Sequence, residues 1–183
     1  MDEATVPLLL PELRPRVAVF TNLFRDQLDR YGEVEAVAAL WRKALSAYPA
    51  DLHLVLKADD PSVASLGEAR DNVTYFGVED RKLDQGAPDH ASDALSCTCG
   101  ARLEYSVAFF GHVGHWRCDA CGRSRPKPDV VATGVDLRDG RSVGFELQSA
   151  GSISSIEMAL GGLYNVYNAL ASVAASQALE LPF

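Results

Sequence analysis

The sequence has few cationic residues and no long apolar run. Its 17 Lys and Arg residues are outnumbered by 25 Asp and Glu, the formal net charge is −8 over 183 residues, and the cations form no basic tract. Because such a chain repels phosphate backbones, we expect no nucleic-acid partner. Residues 1–11 lack a cationic start and are too short to span a bilayer, so we expect no transmembrane segment and a cytoplasmic location.

Only four cysteines occur, and all of them lie within 25 residues of one another. They form two close pairs, Cys97 with Cys99 and Cys118 with Cys121, separated by 18 residues. Scattered cysteines would be typical of a disulfide framework, whereas this spacing is typical of a four-thiolate structural zinc site. Four protein ligands leave no open coordination position, which argues against a metal-dependent hydrolase.

The loops around the cysteines leave alternatives open. Gly100 and Gly122 directly follow the second cysteine of each pair and supply tight turns. The first pair is C-x-C, however, so its loop is one residue shorter than the usual C-x-x-C. His112 and His115 lie between the pairs and are alternative zinc ligands, and a metal-free hairpin is the third possibility.

The first half of the sequence alternates between strand-like and helix-like segments. Residues 16–22, 52–58 and 73–77 are short apolar runs rich in β-branched residues, as in strands buried on both faces of a parallel sheet. Residues 34–45 repeat apolar side chains at helical spacing, and Asp60 followed by Pro61 begins a short helix. We therefore predict an α/β sheet whose functional groups, including Thr21, Asn22, Asp59 and Asp60, collect at the carboxyl ends of its strands.

The second half predicts an insertion followed by the rest of the sheet. Residues 129–147 form two alternating runs around Asp139-Gly140, a typical hairpin turn, and residues 160–179 form a final helix. We predict a partial central α/β domain at 1–93, a zinc-ribbon insertion at 94–128 and the remainder of the α/β domain at 129–183.

The stretch TNLFRDQLDRYGE, residues 21–33, has two interpretations. If it is helical, Asn22, Asp26 and Asp29 share one face that looks into a cleft. The alternative is a solvated helix in which Arg25 pairs with Asp29 and similar i, i+4 ion pairs form along its surface.

Four landmarks in order resemble the central domain of the Mur ligases. The stretch at 21–33 resembles the family segment TN…DHLDRYG, and in its Arg-Asp-Gln-Leu-Asp form it is similar to the MurT family of lipid II amidating ligases. The sequence ADDP at 58–61, a four-cysteine ribbon, and YNVYNALAS at 164–172 follow in the family's order. Together they cover nearly the whole chain.

The resemblance implies a specific reaction. Mur ligases use ATP and Mg²⁺ to convert a carboxylate into an acyl phosphate, which an amine then attacks. In the MurT system the carboxylate is the α-carboxyl of D-isoglutamate in the lipid II stem peptide, and the amine is ammonia from a GatD-type glutaminase partner. This implies a peptidoglycan-synthesis enzyme acting at the inner face of the membrane.

The resemblance also implies roles for polar residues in the first landmark. Asn22 matches the family Asn beside the nucleotide phosphates and metal, and Gln27 stands where other Mur ligases place a metal-binding His. An amide oxygen still suits Mg²⁺, which prefers oxygen ligands. Asp26 and Asp29 are assigned to holding the cleft helix and metal-bound water.

In the last landmark, the resemblance places two amides at the nucleotide. Asn165 matches the family position at the adenine edge, and Asn168 lies one helical turn later. We expect Tyr164 and Tyr167 to pack rather than to stack on adenine.

Four departures from the family limit what the chain is expected to do alone. One is that the sequence stops at LELPF, residues 179–183, where the family continues into a C-terminal domain that meets the glutaminase. No G-x-x-x-x-G-K-[ST] phosphate loop occurs, and the sequence opens just after the position of the family's Mg²⁺-binding Glu. The resemblance therefore assigns no catalytic residue within this chain, and we expect negligible ligase activity from it in isolation. Lys57 replaces an Asn that is common before ADDP. The alternative function is a catalytically inactive zinc-ribbon module that binds a protein partner.

Overall fold

The computed structural model describes residues 5–23, 34–86 and 95–181. Among these residues, no helix is both long and apolar enough to cross a membrane. The helices are α1 (Val6–Leu13), α2 (Val34–Ser46), α3 (Pro61–Ala64) and α4 (Leu163–Ala178), with 3₁₀ turns at Ser65–Gly67 and Arg81–Leu83. The strands are β1 (Val17–Phe20), β2 (His53–Lys57), β3 (Val73–Val78), β4 (Glu104–Phe110), β5 (Val113–Arg117), β6 (Val130–Arg138), β7 (Ser142–Ser149) and β8 (Ser152–Met158).

Six strands form one sheet in the order β1-β2-β3-β6-β7-β8, and β4 pairs with β5 separately. Strands β1, β2, β3 and β6 run parallel, whereas β6, β7 and β8 are joined as antiparallel neighbours. The hairpin between β6 and β7 turns at Asp139 and Gly140, which both have positive φ. The predicted α/β sheet and its hairpin are confirmed.

Strand β2 is buried because its side chains alternate between two hydrophobic cores. Val55 belongs to the core that α4 covers, together with Tyr167. Leu54 and Leu56 belong to the core on the opposite face, together with Trp41 of α2. Because alternate side chains of the strand enter cores on opposite faces of the sheet, the centre of the strand is a continuous apolar run in the sequence. The buried side of α2 is formed by four of the residues predicted for it: Val37, Ala38, Trp41 and Leu45.

Two elements lie where no helix or strand was predicted. Strand β8 is at the edge of the sheet and its Ile153 is 66% exposed. Its sequence therefore lacks the alternating apolar pattern by which a half-buried strand is predicted. Helix α1 contains Pro7 and Pro11, which obscure its helical signal. Its buried side chains are Val6 and Leu10, one turn apart.

The predicted insertion shares its core with the main sheet. Val107, Phe109 and Val113, on β4 and β5, belong to the same hydrophobic cluster as β3, β6 and α4. A smaller cluster joins Cys97 and Cys118 to side chains of the same hairpin and to α3. The β4–β5 hairpin is therefore packed on the domain rather than projecting from it, and the boundaries at 94 and 128 stay a prediction.

Candidate functional site

The carboxyl end of β2 carries Asp60, which is fully buried. Its Oδ1 accepts hydrogen bonds from the backbone N–H groups of Ser62 (2.9 Å) and Val63 (3.1 Å), as the predicted N-cap of α3. Its Oδ2 accepts from the backbone N–H of Leu23 (3.0 Å), in the segment that follows β1. Asp60 thus ties the ends of two neighbouring parallel strands together.

Asp59 is equally buried, and its carboxylate joins three parts of the chain. Its Oδ2 accepts from the backbone N–H of Val78 (2.9 Å) and from the hydroxyl of Tyr167 (2.7 Å). Its Oδ1 accepts from Nε of Arg125. With these partners Asp59 and Asp60 serve as internal anchors, so the described residues do not fit a magnesium ion held by this pair.

Burial and charge shift the ionisation of three groups at this strand end. Burial alone would raise the pKa of the Asp60 carboxyl, but the facing His112 ring and Lys57 lower it below its usual value near 3.8. Burial lowers the pKa of Lys57 to about 8, although the carboxylates of Asp60 and Asp59 oppose this. Burial and the charge of Asp59 raise the pKa of Tyr167, which therefore donates its proton in a hydrogen bond rather than ionising.

The side chains proposed for the nucleotide lie at the same edge of the sheet. Asn22 is exposed and is the second residue after β1, and the backbone N–H of the next residue, Leu23, donates to Asp60. Asn165 and Asn168 lie in the first turns of α4, on either side of Tyr167, which bonds Asp59. Gln27, Asp26 and Asp29 lie outside the described residues, so both interpretations of that stretch stay predictions.

Asn165 and Asn168 make hydrogen bonds within their own helix end. Nδ2 of Asn165 donates to the carbonyl oxygen of Gly161 (2.7 Å), and Nδ2 of Asn168 lies 3.5 Å from Oδ1 of Asn165. The packing expectation for the two tyrosines is right for Tyr167, which is 2% exposed, and wrong for Tyr164, which is 63% exposed.

The four cysteine sulfurs form a compact group. They all lie within 4.8 Å of one another, and the two contacts Cys97–Cys121 and Cys99–Cys118 are each 3.6 Å. In the part of the chain that the structure describes, this is the one group of three or more Cys, His or acidic residues placed to hold a metal. Zn–S bonds of about 2.3 Å in a tetrahedron separate sulfurs by about 3.8 Å, so the group fits zinc.

The loops of the cysteine group follow the prediction. The N–H of Gly100 donates to the carbonyl oxygen of Cys97 (2.8 Å), and the N–H of Gly122 donates to that of Cys118 (2.9 Å). Both glycines have positive φ, as the tight turns require. The guanidinium of Arg123 lies 3.4 Å from the Cys97 sulfur, where it offsets thiolate charge.

The two histidines considered as alternative ligands point away from the cysteines. Nε2 of His112 lies 3.1 Å from the Asp60 carboxylate, and Nε2 of His115 lies 2.8 Å from the carbonyl oxygen of Val78. Both imidazoles therefore bind the end of the main sheet, and the histidine-ligand alternative is wrong.

A cleft of about 1060 Å³ opens at the opposite edge of the sheet. Arg16, His53 and Asn72 line it at the amino ends of β1, β2 and β3. Ligands of open α/β sheets bind at the carboxyl ends of the strands, so the size of this cleft does not make it the candidate site.

Residues 7–116, more than half of the chain, match the Mur ligase middle domain. The chain belongs to the Mur ligase family. Over 181 residues it is 29% identical to the MurT subunit of lipid II isoglutaminyl synthase from Staphylococcus aureus strain COL, covering 99% of this chain and 39% of that protein. The MurT subunit of Streptococcus pneumoniae strain R6 is 30% identical, at 98% and 39% coverage. The chain thus spans about two fifths of the length of these curated relatives.

Solved structures share this architecture. A pseudomurein peptide ligase type C from Methanothermus fervidus has a TM-score of 0.78 at 33% identity, over 95% of this chain and 33% of that one. The MurF ligase of Thermotoga maritima in complex with ADP has a TM-score of 0.60 at 15% identity, over 97% of this chain and 30% of that one. The second likeness shows the Mur ligase fold alone.

Sequence reasoning missed the residues that surround Asp59. Arg125 and Trp116 had no motif to mark them, and Tyr167 was assigned to packing alone. The only signal for these partners was indirect. Two adjacent acids follow an apolar strand, and buried carboxylates that do not bind a metal must accept hydrogen bonds from other buried groups.

Proposed function

We propose that this chain is part of an ATP-dependent amide ligase of peptidoglycan synthesis. The substrate is the α-carboxyl of D-isoglutamate in the lipid II stem peptide, and the enzyme works in the cytoplasm with a GatD-type glutaminase partner. The observation that carries the proposal is the match of 99% of the chain to MurT.

The proposed reaction has two steps. A carboxylate oxygen of the substrate attacks the γ-phosphorus of ATP, which releases ADP and leaves an acyl phosphate. Ammonia from glutamine then attacks the acyl carbon, phosphate leaves, and the nitrogen loses a proton to give the amide. ATP supplies the phosphoryl group and Mg²⁺ offsets its charge.

Within the chain, four side-chain amides are proposed to contact the nucleotide and its metal ion. Asn22, which is exposed after β1, is proposed to contact the phosphates and metal, and Gln27 is proposed to serve as a further metal ligand. Asn165 and Asn168 would meet the adenine edge by exchanging their present 2.7 Å and 3.5 Å contacts for contacts to the base. Cys97, Cys99, Cys118 and Cys121 would hold a structural zinc ion.

The test uses the protein expressed from its native gene with a GatD-type glutaminase, ATP, glutamine and lipid II. Mass spectrometry should show conversion of the stem-peptide carboxylate into an amide, with ADP released in equal amount. Asn165→Ala should raise the KM for ATP by about tenfold, the value of one good hydrogen bond. Ser172→Ala, exposed on the same helix, is the matched control and should leave the KM unchanged.

A contrary result would favour the alternative function. If the wild-type protein neither amidates lipid II nor binds an ATP analogue, the ligase proposal fails. Tight binding of a protein partner that persists in Asn165→Ala would then support a zinc-ribbon binding module.

A further inference from the structure

Arg125 is one of the residues through which the cysteine ribbon contacts the end of the main sheet. Its backbone N–H donates to the carbonyl oxygen of Trp116 (2.9 Å), which fixes it beside β5. Its guanidinium, only 10% exposed, pairs with the Asp59 carboxylate and with Oε1 of Glu79 (2.5 Å). A third contact, 3.3 Å long, reaches the carbonyl oxygen of Val78 at the end of β3.

The other side of the Asp59 carboxylate belongs to α4. The Tyr167 hydroxyl donates to Oδ2, while Arg125 donates to Oδ1. Tyr167 is 2% exposed and lies two residues after Asn165 and one before Asn168. A continuous polar chain therefore runs from the ribbon through one buried carboxylate to the helix end that carries these two amides.

Further contacts hold the ribbon on the same strand end. The indole N–H of Trp116 donates to the carbonyl oxygen of Ala58 (3.0 Å), and the N–H of Gly114 donates to that of Asp59 (2.8 Å). On the α4 side, Nζ of Lys57 lies 3.7 Å from the ring centroid of Tyr167 and 5.1 Å from that of Phe110 on β4. The strand end is thus held between the ribbon hairpin and α4.

We infer that Arg125 is a positioning residue that sets the first turns of α4 through Asp59 and Tyr167, so that the zinc-loaded ribbon orients the nucleotide-binding amides. The inference rests on the proposed function for the role of those amides. Removing Arg125 leaves the buried Asp59 carboxylate without its paired cation, and such an uncompensated group turns toward water. That movement weakens the bond that holds Tyr167, while the four cysteines are untouched.

The first test measures hydrogen exchange at residues 163–168 together with bound zinc. Arg125→Met and Tyr167→Phe should speed exchange in this segment about fivefold, because each removes one link of the chain. Arg125→Lys should give a smaller increase, since the cation is kept and the second donor is lost. Arg138→Met, which breaks an exposed ion pair with Glu157, is the control and should change nothing in this segment.

Zinc content separates positioning from damage to the ribbon. All four variants should keep the zinc content of the wild type, and removing zinc from the wild type with a chelator should speed exchange at residues 163–168 as Arg125→Met does. If Arg125→Met does not fold, the exchange rate of Tyr167→Phe tests the inference instead. This variant removes a single oxygen atom, so we expect it to fold. Unchanged exchange in Tyr167→Phe, or in zinc-free wild type, would overturn the inference.

The second test measures the affinity for a non-hydrolysable ATP analogue in the protein expressed from its native gene. Arg125→Met and Tyr167→Phe should weaken binding about fivefold or more at unchanged zinc content, and Arg138→Met should not. If the wild type binds no nucleotide, the proposed function fails, while the exchange results still decide whether the ribbon positions α4.

Discussion

The hydroxyl of Tyr167 donates a 2.7 Å hydrogen bond to the carboxylate of Asp59, which lies 108 residues earlier in the chain. Both residues are buried, and the bond fastens the last helix to the end of a central parallel strand. The sequence predicts Asp59 and Asp60 among the functional groups at the carboxyl ends of the strands. In the folded protein their oxygens are taken up by backbone and side-chain donors, so their chemistry supports the fold on which the proposed site is built.

Zinc binding should depend on the cysteines and not on the histidines. Cys118→Ser should lose bound zinc, because the remaining three thiolates no longer close the tetrahedron. Metal analysis of the purified protein measures this, with about one zinc ion per chain expected for the wild type. His115→Ala is the control and should retain the metal. Loss of zinc in His115→Ala with retention in Cys118→Ser would contradict the four-cysteine site.

Lys57 should make stability rise with pH in mildly alkaline solution. Its pKa is about 8 in the folded protein and near 10.5 in the unfolded chain, so between these values the unfolded state binds more protons. The free energy of unfolding should therefore increase by about 1.5 kcal/mol from pH 8 to pH 9.5. Urea unfolding at several pH values measures it.

Two variants isolate the contribution of Lys57. Lys57→Met should abolish the rise, because no buried amine is left to titrate. Lys43→Met, which removes an exposed lysine of α2, should preserve it. If the free energy of unfolding of Lys57→Met rises with pH as much as that of the wild type, another group is responsible for the rise.

Gly77→Ala should disturb the Arg125–Asp59 pair. A Cβ at this position would lie 2.8 Å from the Arg125 guanidinium and 3.1 Å from both Asp59 carboxylate oxygens. We expect a loss of about 1–3 kcal/mol in the free energy of unfolding, as is typical of overpacking. In an Arg125→Ala background the loss should shrink, since the nearest obstructing atom is gone. Equal losses in both backgrounds would show that the added methyl acts elsewhere.

Asp60→Asn should destabilise the protein by about 2–3 kcal/mol at pH 7. The amide keeps one acceptor oxygen where the carboxylate uses two, and it removes the charge that faces His112. Denaturant unfolding of wild type and variant at pH 7 measures the difference. Asp136→Asn, in an exposed pair with Arg138, is the control and should match the wild type.

The same pair of proteins tests the pH dependence of Asp60. Because the folded-state pKa of Asp60 is lowered, its stabilising effect is fully present above the unfolded value near 3.8 and is lost as the pH falls below it. The stability advantage of wild type over Asp60→Asn should therefore narrow between pH 4 and pH 3. If the stability difference between wild type and Asp60→Asn does not change over this pH range, the charge of Asp60 does not contribute to the free energy of unfolding.

Local signals in the sequence were enough to predict much of the fold. Asp60 with Pro61 marks a helix start, and the cap bonds come from the backbone N–H groups of Ser62 and Val63. Asp139-Gly140 marks a turn, and the spacing of the cysteines brings four sulfurs together. In each case the residues that determine the structure are close in sequence, or share a single strong chemical preference.

Long-range partners could not be read in this way. Nothing near Asp59 indicates that its donors come from positions as distant as Arg125 and Tyr167, since each is an ordinary residue of its own element. The partner of His112 could not be predicted either. His112 lies between the two cysteine pairs in the sequence, which suggests a metal ligand, but its ring contacts the Asp60 carboxylate. Edge strand β8 was missed because an edge with exposed faces imposes little pattern on its sequence.

The contacts of Asp59 also dictate the order in which the protein can be completed during synthesis. The ribosome delivers β2 early, but Arg125 and Tyr167 emerge 66 and 108 residues later. Until then the Asp59 carboxylate lacks both of its side-chain donors and stays partly hydrated, which opposes closure of the parallel strands over it. We expect the nascent chain to reach its native sheet only after the last helix has left the ribosome, in one late, cooperative step.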